Sequence, residues 1–117
     1  MECSSLRIVV FPDTPKTWKA RALEHDLTAG GRSAEEALNT LVKMADAHIA
    51  YDIRHGHQPL SAFVQAPQIY WNAFGRAEKS VQQNELTGTE PERSLRYVVG
   101  ITSADPAIRR LIALRSA

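Results

Sequence analysis

His48, Asp52 and His55 stand at i, i+4 and i+7, which is one face of a helix, and His57 follows in the next turn. Imidazole nitrogens and a carboxylate so placed are donor types that hold zinc. No cysteine joins the set, and His48 lies on the flank of an apolar stripe, so we read these residues as structural or solvated and expect no metal. Glu24 and Asp26, two apart on a strand, are the second candidate set. A nuclease using two magnesium ions needs several carboxylates converging from different strands. Leu6 to Phe11, the run expected to form the first strand, carries only Arg7 as a charged residue. A nucleophilic mechanism needs a serine or cysteine beside a base and an oxyanion hole. There is no G-x-S-x-G elbow, no P-loop and no dinucleotide fingerprint. The expectation is a protein without catalytic residues, metal or cofactor.

Residues suited to binding are easier to find. Trp18 and Trp71 are candidate interface anchors, and with Lys19 and Arg21 they make the expected partner-binding set. Lys19 and Arg21, joined by Arg109 and Arg110, make an alternative set that would contact RNA or DNA phosphates. The formal net charge is only +1, yet after Glu92 the chain carries Arg93, Arg96, Arg109, Arg110 and Arg115 against Asp105. Such a tail suits an acidic surface, a phosphate backbone or plain solvent. Paired aromatics for base stacking are missing from the expected sheet, so nucleic acid is the less favoured partner.

These residues must be positioned by strands and helices, and the pattern places them as follows. Leu6 to Phe11 is an apolar, β-branched run ended by Pro12-Asp13-Thr14-Pro15, hence a first strand. Thr17 to His25 alternates Trp18, Ala20 and Ala22 against Lys19 and Arg21, as in a sheet covered on one side and wet on the other. Leu27 to Ala29 makes a short third strand before a Gly30-Gly31 turn. Ser33 then starts a helix to about Ile53, with Glu36 completing a capping box and Ala37, Leu38, Leu41, Val42, Ala45 and Ile49 on one stripe. Pro67 opens a second helical pattern with Ile69, Tyr70, Ala73, Ala77 and Val81. Gln82 to Glu92 is polar, with Gly88 and Pro91, and reads as a linker or loop. Leu95, Tyr97, Val99 and Ile101 form one more strand, in its own sheet or exchanged with a neighbour's, and Asp105-Pro106 caps a last short helix.

The 117 residues suit one α+β unit, divided into a core over 1–58 and a C-terminal extension over 59–117 that packs on it. The expected core is a small antiparallel sheet of three to four strands on one long helix. The single cysteine, Cys3, forms no internal bridge, and no apolar stretch approaches the roughly 20 residues of a membrane span. A cytoplasmic protein is expected, with no membrane partner.

The segment Trp18 to Leu38, WKARALEHDLTAGGRSAEEAL, resembles the HicB-like antitoxin family. In that pattern an aromatic opens the second strand, an acidic LExD-like segment and a glycine follow, and an S-xxEAL helix packs across the sheet. Trp18, Leu23, Glu24, Asp26, Gly31, Ser33, Glu36, Ala37 and Leu38 match it, and the resemblance covers roughly Leu6 to Ile53. It implies a partial RNase H-like fold without catalytic carboxylates, and a small basic toxin-like ribonuclease as partner. It also implies a DNA-binding module after the core, but only one helix fits between Ser103 and Ala117 where a ribbon-helix-helix needs two. The reading is a non-enzymatic protein-interaction module, an antitoxin or an orphan relative of one, that self-associates as a dimer or higher oligomer. The alternative is an RNA- or DNA-binding protein of the same fold.

Overall fold

In the computed structural model the described residues are 2–61, 63–86 and 93–102, with side chains described for 6–61, 63–77 and 96–102. The element order is β1 (Glu2–Thr14), β2 (Thr17–Ala22), β3 (Thr28–Gly31), α1 (Ala34–Arg54), α2 (Gln68–Arg76), β4 (Glu78–Leu86) and β5 (Arg93–Ile101). The α+β class expected from the pattern is the one observed. The sheet is larger than expected and is not purely antiparallel. Five strands lie in the order β3-β2-β1-β5-β4. β1 pairs antiparallel with β2 and parallel with β5, in its own chain, over Glu2 to Val10.

The central place of β1 explains its sequence. Leu6, Ile8 and Val10 pack in the layer under α1, while Val9 and Phe11 pack under α2, so both faces of the strand are dry. A strand covered twice reads as a continuous apolar run, not as an alternation. It continues through Pro12, where the prolines were expected to end it, because a register irregularity between Pro12 and Thr14 absorbs them before β2 begins.

α1 starts where Ser33 caps it, its hydroxyl accepting the Glu36 amide at 3.1 Å. The Glu36 carboxylate reaches back to the Arg32 amide at 3.3 Å, one residue before the position a capping box predicts. Ala37, Leu38, Leu41, Val42, Ala45 and Ile49 are buried on the sheet with Ala20, Ala22, Tyr97 and Val99. Small residues at Ala20, Ala22, Ala37 and Ala45 let helix and sheet approach closely. Gly30 and Gly31 lie within β3, paired with Lys19 and Trp18, and do not form the expected turn. Their φ values are not positive, and Gly31 is needed for space: a Cβ there would sit 2.6 Å from the Ala37 nitrogen.

α2 covers the opposite face, which was expected to be wet. Tyr70, Ala73 and Phe74 pack on Val9, Phe11 and Leu23. The helix stops at Arg76, because Ala77 turns extended and the chain enters β4. Val81 and Gln82 to Leu86, expected in a helix and a loop, therefore belong to a strand that pairs with β5 over Glu78 to Leu86. A polar strand at a sheet edge is held by backbone bonds, and apolar periodicity does not reveal it. Residues 87–92 and the expected helix from Asp105 lie outside the described residues. Among the described residues no helix is long and apolar enough to cross a membrane.

Candidate functional site

The carboxylates Glu24 and Asp26 lie in the connection between β2 and β3, facing α2. Leu23 still pairs with β1, its amide donating to the Arg7 carbonyl at 2.8 Å. Beyond it the chain leaves the sheet, and a side chain supplies the next acceptor. The Arg7 amide donates to Glu24 Oε1 at 2.7 Å. The same carboxylate meets the Arg7 guanidinium at 3.5 Å through Oε2.

Asp26 is held by Arg21, whose Nε and Nη2 donate to its two oxygens at 2.7 and 2.9 Å. The Arg21 guanidinium lies 4.2 Å from the centre of the Tyr70 ring. Its hydrogen bond to Asp26 raises the Arg21 pKa above its ordinary value, against the opposing effect of burial. A planar fork bound on its edge and stacked on its face is a geometry lysine cannot reproduce.

The connection before α2 closes the same region. The Asp26 amide donates to the Val64 carbonyl at 2.7 Å, and the Ala66 amide to the Leu23 carbonyl at 2.8 Å. Trp71 Nε1 donates to the Ala66 carbonyl at 3.2 Å, and the Arg7 guanidinium lies 5.5 Å from the Trp71 ring centre. Both carboxylates are therefore engaged by arginines of the neighbouring strands. Leu6, Arg7, Glu24, Arg96 and Val98 line a depression of about 200 Å³ beside them, in which Glu24 is the one acid among the described residues.

The residues expected to bind a partner are not gathered into one patch. Trp18 is half-buried against the layer under α1, whereas Arg21 faces α2. Trp71 is turned inward on the Ala66 carbonyl, and Lys19 is half-buried, its ammonium near Gly30. Arg109 and Arg110 lie outside the described residues. Tyr70 was read only as part of an apolar stripe. Its role under Arg21 was not predictable from spacing, since the two residues meet only when α2 crosses the sheet.

The histidine set at the end of α1 serves the chain turn. Asp52 Oδ2 accepts the Leu60 amide at 2.7 Å, and the Asp52 carbonyl accepts the His57 amide at 2.8 Å. His57 Nδ1 is 3.7 Å from Asp52 Oδ1. His55 stacks on Tyr51 with ring centres 4.0 Å apart, and His48 packs edge-on to Phe63 at 5.1 Å. Among the described residues no three His, Cys, Asp or Glu side chains converge as a metal site would require. Met44, Ala47, His48 and Tyr51 line an open apolar groove of about 410 Å³ on the outer side of α1.

Fold and site together describe a small α+β protein with a mixed five-stranded sheet between two helices, in which Glu24 and Asp26 are tied to arginines. No protein-family model, no curated protein and no solved structure matches the chain.

Proposed function

We propose that this chain is a non-enzymatic protein-interaction module, of the HicB-like antitoxin type or an orphan relative of it, that acts as a self-associated unit. The observation that carries the reading is the outer edge of the sheet. β4 is nine residues long, pairs with β5 in unbroken register, and has no strand on its other side among the described residues. Such an edge presents a row of backbone donors and acceptors to another chain.

The absence of catalysis is supported by the state of the carboxylates. Glu24 supplies the ladder acceptor for Arg7 and Asp26 is held by the Arg21 fork, so each carboxylate already has a cationic partner and a structural task. The family pattern carried by Trp18, Glu24, Asp26, Gly31 and Ser33 to Leu38 supports a small basic protein as the partner of the assembled unit. A nucleic-acid reading would have to do without the Arg21 guanidinium, which is occupied.

The test is capture of the tagged chain from its host followed by a high-salt wash. A stoichiometric small basic protein, retained in salt, supports the reading. Recovery of nucleic acid that salt releases, with no protein, overturns it.

A further inference from the structure

We propose that the depression beside Glu24 is a binding site for a small organic monocarboxylate, with Arg7 and Arg96 gripping the carboxylate and Val98 meeting its apolar body. The inference goes beyond the interaction reading above and does not depend on it.

The sheet register assembles the site. Strand residues two apart share a face, and partners on neighbouring strands share it too. Arg7 pairs with Val98, and Arg96 stands two residues before Val98 on β5, so the three side chains emerge on one face. It is the face of α2, because Val98 packs against the layer that holds Val9, Phe11, Leu23 and Tyr70. α2 rests on Val9, Phe11 and Leu23 and borders the depression through Trp71, whose ring centre is 5.5 Å from the Arg7 guanidinium. Between β1, β5 and Glu24 a space of about 200 Å³ remains.

The chemistry of the lining selects the ligand. Arg7 is oriented in advance, with Glu24 Oε2 at 3.5 Å and the Trp71 ring against its guanidinium, yet its side chain is still 53% exposed. A guanidinium has five N–H donors, so one carboxylate at its edge leaves others to spare. The Arg96 side chain is exposed and has no ion pair or hydrogen bond among the described residues. The described lining thus sets two guanidiniums against the single carboxylate of Glu24, an excess of one positive charge. A monoanion balances that excess, and a planar carboxylate matches an arginine fork. A dianion such as phosphate would bring a second negative charge against Glu24 and has no apolar part to place on Val98. The space lies below the roughly 300 to 1,000 Å³ of sites for drug-sized ligands, so the apolar body is one ring or a short branched chain.

The experiment is a titration of the isotope-labelled full chain with benzoate, followed by amide NMR signals, with benzamide and inorganic phosphate as comparisons. Benzoate should give saturable shifts centred on Arg7, Glu24 and Val98, with a Kd of about millimolar for a ligand of so few atoms. Benzamide has the same shape without the charge and should give no saturable shift there, and phosphate should bind more weakly than benzoate. R96Q removes one charged grip and should weaken benzoate by about tenfold. E24Q keeps an acceptor for the Arg7 amide but removes the opposing charge, and should tighten benzoate by roughly threefold. Opposite changes in affinity from the two variants are what a purely structural role would not produce, and the same spectra show whether each variant is folded. The proposal is overturned if benzoate gives no saturable shift at these residues, if benzamide or phosphate binds as well, or if R96Q leaves the affinity unchanged.

Discussion

Glu24 replaces a backbone carbonyl in the sheet: its Oε1 takes the Arg7 amide at 2.7 Å just where β2 turns away from β1. A hydrogen-bond acceptor is what the position requires, and charge is secondary because the Arg7 side chain is 53% exposed. Glu24→Ala is therefore expected to lower stability by about 1 kcal/mol and Glu24→Gln by less than half of that. Urea unfolding of the two variants checks this. Equal losses would show that the ion pair matters more than the amide bond.

The Arg21 clasp makes a different demand. Arg21→Lys removes the two-point contact with Asp26 and the stacking on Tyr70, and is expected to lower stability by about 1 to 2 kcal/mol. A double-mutant cycle with Asp26→Asn should give a coupling of about 1 kcal/mol or more. A group whose folded pKa is raised contributes stability that is complete below its unfolded pKa and lost as pH rises through the folded one. The Arg21 pKa is raised from an already very basic value, so moderately alkaline solution should leave this contribution intact. Thermal melts of wild type and Arg21→Lys across neutral to alkaline pH should run parallel.

The two adjacent glycines of β3 are expected to behave oppositely. A Cβ at Gly31 would lie 2.6 Å from the Ala37 nitrogen and 2.9 Å from the Glu36 carbonyl carbon, both in the first turn of α1. Backbone cannot yield as a side chain does, so Gly31→Ala should cost about 2 kcal/mol or more. At Gly30 the nearest atom to an added Cβ is 3.6 Å away. Gly30→Ala should change stability by less than about 0.5 kcal/mol. Comparing their denaturation midpoints is sufficient.

Asp52 is expected to act as a staple. Its carboxylate fixes the amide of Leu60, a buried residue held at a φ of 62°. Asp52→Ala should lower stability by about 1 to 2 kcal/mol, and Asp52→Asn by less, because the amide oxygen can still accept. Zinc should not raise the melting temperature, since Asp52 Oδ2 holds the Leu60 amide, His55 Nδ1 lies 2.8 Å from the Tyr51 carbonyl, and no three donor side chains converge among the described residues. A zinc-dependent increase lost in Asp52→Ala would reverse this reading.

What could be read without coordinates depended on burial. α1 was legible because its buried stripe repeats at helical spacing and Ser33 marks its start. β1, β2 and β5 were legible because apolar or alternating runs mark strands that bear the core. β4 was not, since a polar edge strand has no buried face to impose a pattern, and its polar residues suggest a loop. The same blindness affected the site. Glu24 and Asp26 were recognisable as a pair, but Glu24 meets Arg7 only through the β1–β2 register, and Asp26 meets Arg21 only because the chain folds back after β2. The second dry face was missed because α2 is short, and Arg21 looks like a residue for solvent until Tyr70 is placed over it.

The parallel pairing of β1 with β5 also sets an order of events. Partners such as Ile8 and Val99 are separated by roughly ninety residues of chain, so this ladder closes a very large loop, whereas β1, β2 and β3 close short ones. During synthesis the β1–β2 hairpin and α1 can assemble early while the far side of β1 waits for β5 to leave the ribosome. In that interval an apolar central strand has one unpaired edge. A chaperone that shields it, or slow refolding in dilute buffer with aggregation at higher concentration, is the kinetic counterpart of placing the first strand at the middle of the sheet.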